Sequence, residues 1–223
     1  MIDSLLNAVE IRVLGSLIEK ELTTPEYYPL TLNALTNACN QKNNREPVVS
    51  LEESSVARAI ESLREKKLVF AVTGAGIRVP KYRHNLTETL TLTKQETAVM
   101  CLLMLRGPQT LGEVRGRSGT MVNFESLPEV QATFDALGAN EKRQQLVKKL
   151  PRQPGQKEAR FAHLLSGEPA PGEQEDSTRP EKAVLQVRAE NERIAELEAE
   201  VDGLKTKIES LQQQFTGFKK QFE

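Results

Sequence analysis

The fold is decided by residues 50–84, which read SLEESSVARAIESLREKKLVFAVTGAGIRVPKYRH. Apolar residues recur with helical spacing at Val56, Ile60 and Leu63. Ser50 and Glu53 have the spacing of a capping box that would begin this helix. Two strand-like stretches follow, at residues 68–72 and 77–83, on either side of a glycine turn. A helix followed directly by a β-hairpin is typical of the end of a winged helix, a relative of the helix-turn-helix.

Two more helices are predicted before this stretch. The first spans about Leu6 to Leu22, and the second begins near Pro29, where proline is well tolerated at a helix start. Three helices and a hairpin in this order predict one winged-helix domain over residues 1–88.

The same order recurs in residues 89–166. It consists of a helix after Thr93, a second at residues 110–117, a third that begins at a capping box of Ser126 and Glu129, and strands at residues 145–150 and 158–164. The sequence therefore predicts a duplication that gives two tandem winged helices. The fold class is mainly α with small β-hairpins (α+β).

The rest of the chain has a different pattern. Residues 167–181 are rich in Gly, Pro, Ser and acids and predict a flexible linker, and residues 182–223 predict a coiled-coil helix. The apolar seam repeats every three or four residues, at Ile194, Leu197, Val201, Leu204, Ile208, Leu211, Phe215, Phe218 and Phe222. Branched residues at position a and Leu at position d favour a parallel dimer of two copies. The alternative is a helix that folds back on its own chain or binds a different protein.

Composition narrows the class of protein. Residues 1–166 hold 22 Lys and Arg against 18 Asp and Glu, and residues 167–223 hold 8 against 13. The longest apolar run, residues 98–105, is too short to cross a bilayer, and no secretory leader is visible, so we expect a soluble cytoplasmic protein without membrane contact. Cys39 and Cys101 have no metal or redox spacing and are expected to be reduced core thiols.

Four stretches carry a resemblance to a known family. They are residues 28–33 (YPLTLN), 38–48 (ACNQKNNREPV), 105–110 (LRGPQT) and 160–164 (RFAHL). Through them, residues 1–167 closely resemble the YceH family of bacterial proteins. The resemblance implies a tandem winged-helix fold and a cytoplasmic bacterial protein. It implies no catalytic or binding residue.

A winged helix on duplex DNA places its third helix in the major groove, while its wing and helix ends contact phosphates. The predicted outward face of the first such helix presents Ser54, Ser55, Arg58 and Ser62, flanked by Glu61 and Glu65. Arg58 could read guanine or bind phosphate. The second such helix has Glu129 and Asp135 and no basic residue, so it is the poorer DNA reader.

The two hairpins are more basic than the helices. The residues that we predict to bind DNA are Lys42, Arg45, Ser54, Arg58, Arg78, Lys81, Arg83, Lys148, Lys149, Arg152, Lys157 and Arg160. A two-stranded ribbon with this density of cations suits phosphate contact. The alternative is that Lys and Arg on surface hairpins serve solubility alone.

The sequence gives no support for catalysis. His84 and His163 are the only histidines, neither lies in a metal-ligand pattern, and both are expected to be surface or packing residues. We find no candidate nucleophile, metal set or cofactor loop, so no catalytic residue, cofactor or metal is predicted. The leading hypothesis is a non-enzymatic DNA-binding protein that acts as a coiled-coil dimer, with transcriptional regulation as its expected role. The alternative is a scaffold of tandem winged-helix type that binds a protein partner.

Overall fold

The structure is a computed structural model that describes residues 5–74, 78–138, 144–152 and 155–168. The chain divides into two units, Met1–Pro169 and Ala170–Glu223, and every described residue lies in the first. The described residues form seven α-helices and five short strands, which confirms the predicted mainly α class with small antiparallel hairpins. The predicted coiled coil lies outside the described residues.

The first repeat runs from α1 to β3. Its elements are α1 (Ala8–Thr23), a 3-10 turn (Pro25–Tyr27), β1 (Leu30–Thr31), α2 (Leu32–Cys39), α3 (Glu53–Glu65), β2 (Val69–Val72) and β3 (Lys81–His84). The three helices and the hairpin occur in the predicted order. The second helix begins later than predicted, because Leu30 and Thr31 pair with β3 and the Thr31 hydroxyl caps α2 by accepting from Ala34 N at 3.3 Å.

The second repeat follows a short connecting helix. The elements are α4 (Leu86–Leu90), α5 (Lys94–Arg106), α6 (Leu111–Arg117), α7 (Leu127–Leu137), β4 (Val147–Lys149) and β5 (Phe161–His163). Three helices and a hairpin again occur in the predicted order. The domain boundaries predicted within this unit stay a prediction.

Reciprocal side-chain caps begin the first helix of each repeat. In α1, Asn7 accepts from Glu10 N at 3.0 Å and the Glu10 carboxylate accepts from Asn7 N at 2.7 Å. In α5, Thr93 and Glu96 make the same two bonds, at 3.2 and 2.8 Å. These boxes satisfy backbone N–H groups that have no partner within the helix, and they fix the same starting point in both repeats.

The capping box predicted at Ser50 is wrong. α3 begins at Glu53, its N-cap is Glu52, and no side chain caps it. The physical reason is Asn40, whose side chain accepts from Leu51 N at 2.7 Å and donates to Leu51 O at 2.9 Å. Leu51 is thereby held in the preceding loop rather than in the first turn of a helix.

The Ser126 cap forms only in part. The Ser126 hydroxyl accepts from Glu129 N at 3.4 Å. The Glu129 carboxylate accepts from Glu125 N at 2.9 Å, one residue before the N-cap, so it does not complete the predicted box.

Each hairpin also pairs with the residue that comes just before the N-cap of the second helix of its repeat. In the first repeat, β1 pairs with β3 through Leu30 opposite Tyr82. In the second, Gln109 and Phe161 exchange two backbone hydrogen bonds of 3.0 and 2.8 Å. A threonine cap follows both positions. This pairing, a short strand in the first repeat and a single bridge in the second, was not predicted, although the sequence contains its signal in PLTL at residues 29–32 and PQTL at residues 108–111.

α1 packs against α2 and α3 of its own repeat and against α5 of the other. Every residue from Glu10 to Glu19 is buried. Gly15 allows the close approach of α5, because a Cβ there would lie 2.9 Å from Leu105 Cδ2. The two repeats therefore share one hydrophobic core. Cys39 and Cys101 are buried in it as free thiols, as predicted.

Candidate nucleic-acid interface

The outward face of the first hairpin carries the residues of greatest interest. β2 and β3 pair antiparallel, with Phe70 opposite Arg83 and Val72 opposite Lys81. Side chains alternate between the faces of a strand, so these four residues share one face. The adjacent residues Val69 and His84 are buried, which identifies their face as the inner one.

Hydrogen bonds on the inner face fix the hairpin to α1. The His84 Nε2 lies 2.6 Å from the Glu21 carboxylate, and His84 N donates to the Tyr28 hydroxyl at 2.7 Å. The His84 Nδ1 accepts from Leu86 N at 3.3 Å. The hydrogen bond from His84 lowers the pKa of Glu21, and burial raises the pKa of Tyr28. His84 is therefore a packing residue, one of the two roles expected for it.

The cations of this hairpin face outward. The Arg83 Cζ lies 5.2 Å from the centre of the Phe70 ring, and an Arg83 nitrogen lies 3.6 Å from the Glu88 carboxylate at the exposed surface. Arg78 is exposed and Lys81 is half-buried, and neither has an ion-pair partner among the residues that the structure describes. The sequence from residue 69 to residue 84 contains no acid.

α3 presents a mixed surface next to this hairpin in the chain. Ser54 is exposed, and Arg58 is exposed with its guanidinium donating to Ser55 at 3.2 Å. Glu61 is exposed and paired with Arg64 at 2.7 Å. The surface of α3 therefore presents Arg58 next to acidic residues, as predicted.

The outward position predicted for Ser62 is wrong. Its hydroxyl donates to the buried Glu10 carboxylate at 2.6 Å, and Lys66 donates to the same oxygen at 2.6 Å. Burial alone would raise the pKa of Glu10, but these two bonds and the one from Asn7 N lower it. α3 is thereby fixed to the start of α1.

Arg45 has to be removed from the candidate DNA-binding residues. Its buried guanidinium binds the Glu19 carboxylate through two bonds of 2.6 and 3.0 Å and also donates to the Ala38 carbonyl at 2.8 Å. A cation with these partners is not available to a phosphate. Its neighbour Lys42 is exposed. The sequence could not separate the two, because Glu19 is 26 residues away in the chain.

The second hairpin commits more of its cations to the fold. Arg160 donates to the Glu113 carboxylate at 2.9 and 3.2 Å and to the Pro108 carbonyl at 2.8 Å, so it too is corrected from a DNA contact to a structural residue. Lys148 pairs with Glu168 at 2.8 Å, with both side chains exposed. The other described cations of this hairpin, Lys149, Arg152 and Lys157, are exposed.

These exposed cations have weak contacts. The Lys149 nitrogen lies 6.0 Å from the centre of the Phe161 ring. Arg152 donates to the Lys157 carbonyl at 3.5 Å, and the Lys157 side chain is solvent-exposed. These three residues stay candidates for phosphate contact.

The register shows which positions correspond in the two hairpins. Val69 opposite His84 matches Val147 opposite His163, so Phe70 corresponds to Lys148 and Arg83 to Ala162. Ala162 is buried. The outward face that carries an exposed aromatic ring and two cations in the first hairpin is therefore covered or ion-paired in the second.

The exposed side of α7 differs from both hairpins. Leu127 is 44% exposed, and Ala132, Asp135 and Ala136 are also exposed. α7 contains no basic residue, as predicted.

The predicted dimer seam from Ile194 to Phe222 lies outside the described residues and stays a prediction.

The exposure of Phe70 is the feature that reasoning from charge missed. An aromatic residue at an outward position of a strand could have been found from the alternation of Val69, Phe70 and Ala71 once the inward residue was known. Counting cations alone does not reveal it.

A family comparison places the chain among bacterial relatives. Residues 6–156 match the family described as "Protein of unknown function, DUF480". The chain belongs to this family. It is 54% identical to a UPF0502 protein of Geobacter sulfurreducens over 98% of this chain and 99% of the relative, and 55% identical to one of Geotalea uraniireducens over 98% of each. A UPF0502 protein of Pelobacter propionicus is 48% identical over 99% of this chain and 100% of the relative. The predicted resemblance to a YceH-type bacterial family is thereby confirmed.

The described residues contain neither a membrane-spanning helix nor a cluster of metal ligands. No helix in this part of the chain is both long and apolar enough to cross a membrane. Within the same residues, no three His, Cys, Asp or Glu side chains come together in a group that could hold a metal ion.

Proposed function

We propose that this protein is a cytoplasmic, non-enzymatic DNA-binding protein of tandem winged-helix type that acts as a coiled-coil dimer. The observation that carries the proposal is the outward face of the first hairpin, where Lys81 and Arg83 lie on one side of β3 beside the exposed Arg78. A ribbon of cations without an acid of its own suits contact with a phosphate backbone.

The structure makes this proposal narrower than the sequence did. Arg45 and Arg160 are engaged within the fold, and Lys148 is ion-paired. The first hairpin supplies the main contact, Arg58 and Lys42 are neighbouring candidates, and Lys149, Arg152 and Lys157 contribute less. Two copies joined by the tail would place two such hairpins on one duplex, which suits a regulator that binds paired half-sites.

Fluorescence anisotropy with a labelled duplex tests the proposal. We expect affinity to fall steeply with salt, because each neutralised phosphate adds about 0.9 to the slope of log K against log salt. Lys81→Glu should lower that slope by about 1 and weaken binding for all sequences alike.

Lys94→Glu is the matched control. Lys94 is exposed at the start of α5, and its replacement changes the net charge by the same amount. We expect it to leave the slope unchanged. Absent binding at low ionic strength, or equal losses in the two variants, would contradict the proposed interface.

The exposed side of α7 favours a second candidate, a scaffold that binds a protein partner. Leu127 is exposed at the start of α7, and Ala132, Asp135 and Ala136 are exposed further along it. α7 has no cation that would repel a basic partner. Capture of a partner from native lysate that survives nuclease treatment and is lost in Leu127→Glu would favour this function. Capture that nuclease abolishes would favour DNA binding.

A further inference from the structure

We propose that Phe70 is a stacking site for an unpaired base, so that the preferred DNA contains a junction between duplex and single strand. This inference rests on the proposed function, because it takes the outward face of the first hairpin as the DNA contact. It adds the class of DNA that the face selects.

The burial of the phenylalanines sets Phe70 apart. It is 39% exposed, whereas Phe124, Phe134 and Phe161 are buried. Phe134 and Phe161 stack on each other with ring centres 4.2 Å apart, so they serve the core. Among the phenylalanines that the structure describes, Phe70 alone is exposed, and the Arg83 guanidinium lies over its ring.

The surroundings of the Phe70 ring fit a nucleotide rather than an apolar partner. Arg83 lies opposite Phe70 with its guanidinium over one face of the ring, 5.2 Å from the ring centre, and Lys81 lies two residues along the same face of β3. A strand rises about 3.4 Å per residue, so these two cations are about 7 Å apart along the ribbon. An aromatic ring flanked by cations combines a surface for a base with contacts for its phosphates.

The exposed ring favours an unpaired base over a paired one. Bases inside a duplex are stacked on both sides, and an inserted side chain has to unstack a base step first. A base at a junction or in a single strand has a free face and meets the ring without that cost. Stacking on an aromatic side chain is also tolerant of sequence, because every base has a π-face.

The hairpin holds this ring on a fixed support. Val69, the residue before it, is buried, and His84, which pairs with Val69, is hydrogen-bonded to α1 and to Leu86 N. The ring is therefore presented by a strand whose inner face is anchored. A base that stacks on it does not have to order a loop.

The first experiment compares two labelled DNAs of equal length by anisotropy, a full duplex and a fork with single-stranded arms. We expect the wild-type protein to prefer the fork, and Phe70→Leu to lose about 5- to 100-fold of affinity for the fork while its affinity for the duplex and its salt slope stay near the wild-type values. Because Phe70 is 39% exposed and leucine keeps much of its apolar volume, Phe70→Leu should lower the melting temperature by only about 2–4 °C.

The second experiment uses fluorescence. The sequence contains no tryptophan, so Phe70→Trp gives the protein a single indole at the proposed site. We expect the fork to quench this fluorescence and the duplex to leave it nearly unchanged. Leu127→Trp is the matched control, since Leu127 is similarly exposed but lies on α7, and its fluorescence should not respond.

The outcomes separate this inference from the proposed function. Salt-dependent duplex binding with no fork preference, or a fork preference that Phe70→Leu retains, would overturn the stacking site and leave the DNA-binding proposal standing. Failure to bind either DNA at low ionic strength would overturn both. Quenching in Phe70→Trp together with loss of fork preference in Phe70→Leu would support the site.

Discussion

His84 and His163 end the second strand of the two hairpins, and each lies opposite a buried valine, Val69 or Val147. The first histidine has hydrogen-bond partners at both ring nitrogens, including the Glu21 carboxylate at 2.6 Å. The Nδ1 of the second is buried without a partner among the described residues. Equivalent places in a repeated frame therefore have different chemistry.

The two hairpins differ in which of their faces makes contacts with the rest of the fold. In the first repeat the inner face supplies the buried polar contacts, through His84 and Glu21, and the Arg83–Glu88 ion pair of the outer face is exposed. In the second repeat Arg160 takes part in the contact with Glu113 instead. The second hairpin therefore uses an arginine within the fold where the first hairpin has the half-buried Lys81.

The largest loss of stability is expected from a substitution that breaks a buried ion pair of the first repeat. Arg45→Met would leave the Glu19 carboxylate buried, with Lys20, 3.7 Å away, as its remaining ion-pair partner among the described residues. Removing one partner of a buried ion pair costs about 3–5 kcal/mol, so we expect that loss in the free energy of unfolding measured with urea.

Two variants calibrate the Arg45 result. Lys42→Met changes an exposed neighbour and should stay within about 0.5 kcal/mol of the wild type. Arg160→Met removes the ion pair with Glu113, where both side chains are about a quarter exposed, and should cost less than Arg45→Met. Equal losses for Arg45 and Arg160 would show that the two repeats do not differ in this respect.

The second largest effect concerns His163, the buried histidine of the second hairpin. Burial lowers the pKa of His163 from 6.5 to about 4. Below pH 6.5 the unfolded chain protonates His163 while the folded protein does not, so its contribution to stability is lost as pH falls. Between pH 7 and pH 4 this amounts to about 3 kcal/mol. His163→Leu should remove that part of the pH dependence of unfolding, and an unchanged profile would contradict the assignment.

Much of the fold could be predicted from local sequence patterns. The apolar spacing of α3 and the two hairpins was legible because helices and strands bury residues with fixed periods. The helix caps were harder to predict. Ser126 caps α7, but Ser50 does not cap α3, because Asn40 holds Leu51 in the loop. A capping motif depends on backbone geometry that the motif itself does not set.

The candidate site was harder to predict than the fold. Lys42 and Arg45 look alike in the sequence, yet one is exposed and the other binds Glu19 across 26 residues. Arg160 likewise finds Glu113 at 47 residues. Charge patterns give the supply of cations, whereas long-range contacts decide which of them remain available to a partner.

The third effect compares two helical glycines. In Gly15→Ala, the added methyl group would lie 2.9 and 3.0 Å from Leu105 atoms and 3.2 Å from Met104 Cβ. Overpacking of this kind costs about 1–3 kcal/mol, more than the helix preference of alanine returns. We therefore expect a lower melting temperature, because α1 and α5 would have to separate.

Gly116→Ala in α6 is the matched control for Gly15→Ala. Nothing lies within 4 Å of a Cβ at Gly116, so the substitution should stabilise the protein by up to about 1 kcal/mol. If both variants were stabilised, the close approach of the two repeats at Gly15 would be incorrect.

The smallest effect tests the two serines that look like helix caps in the sequence. Ser126→Ala removes the hydroxyl that accepts from Glu129 N, and loss of such a cap costs about 1 kcal/mol. Ser50→Ala should change the free energy of unfolding by less than about 0.5 kcal/mol, because no side chain caps α3. Urea unfolding of both variants checks the difference. A loss at Ser50 as large as that at Ser126 would mean that α3 begins two residues earlier, as its sequence motif indicates, and that the bond from Leu51 N to Asn40 does not hold in solution.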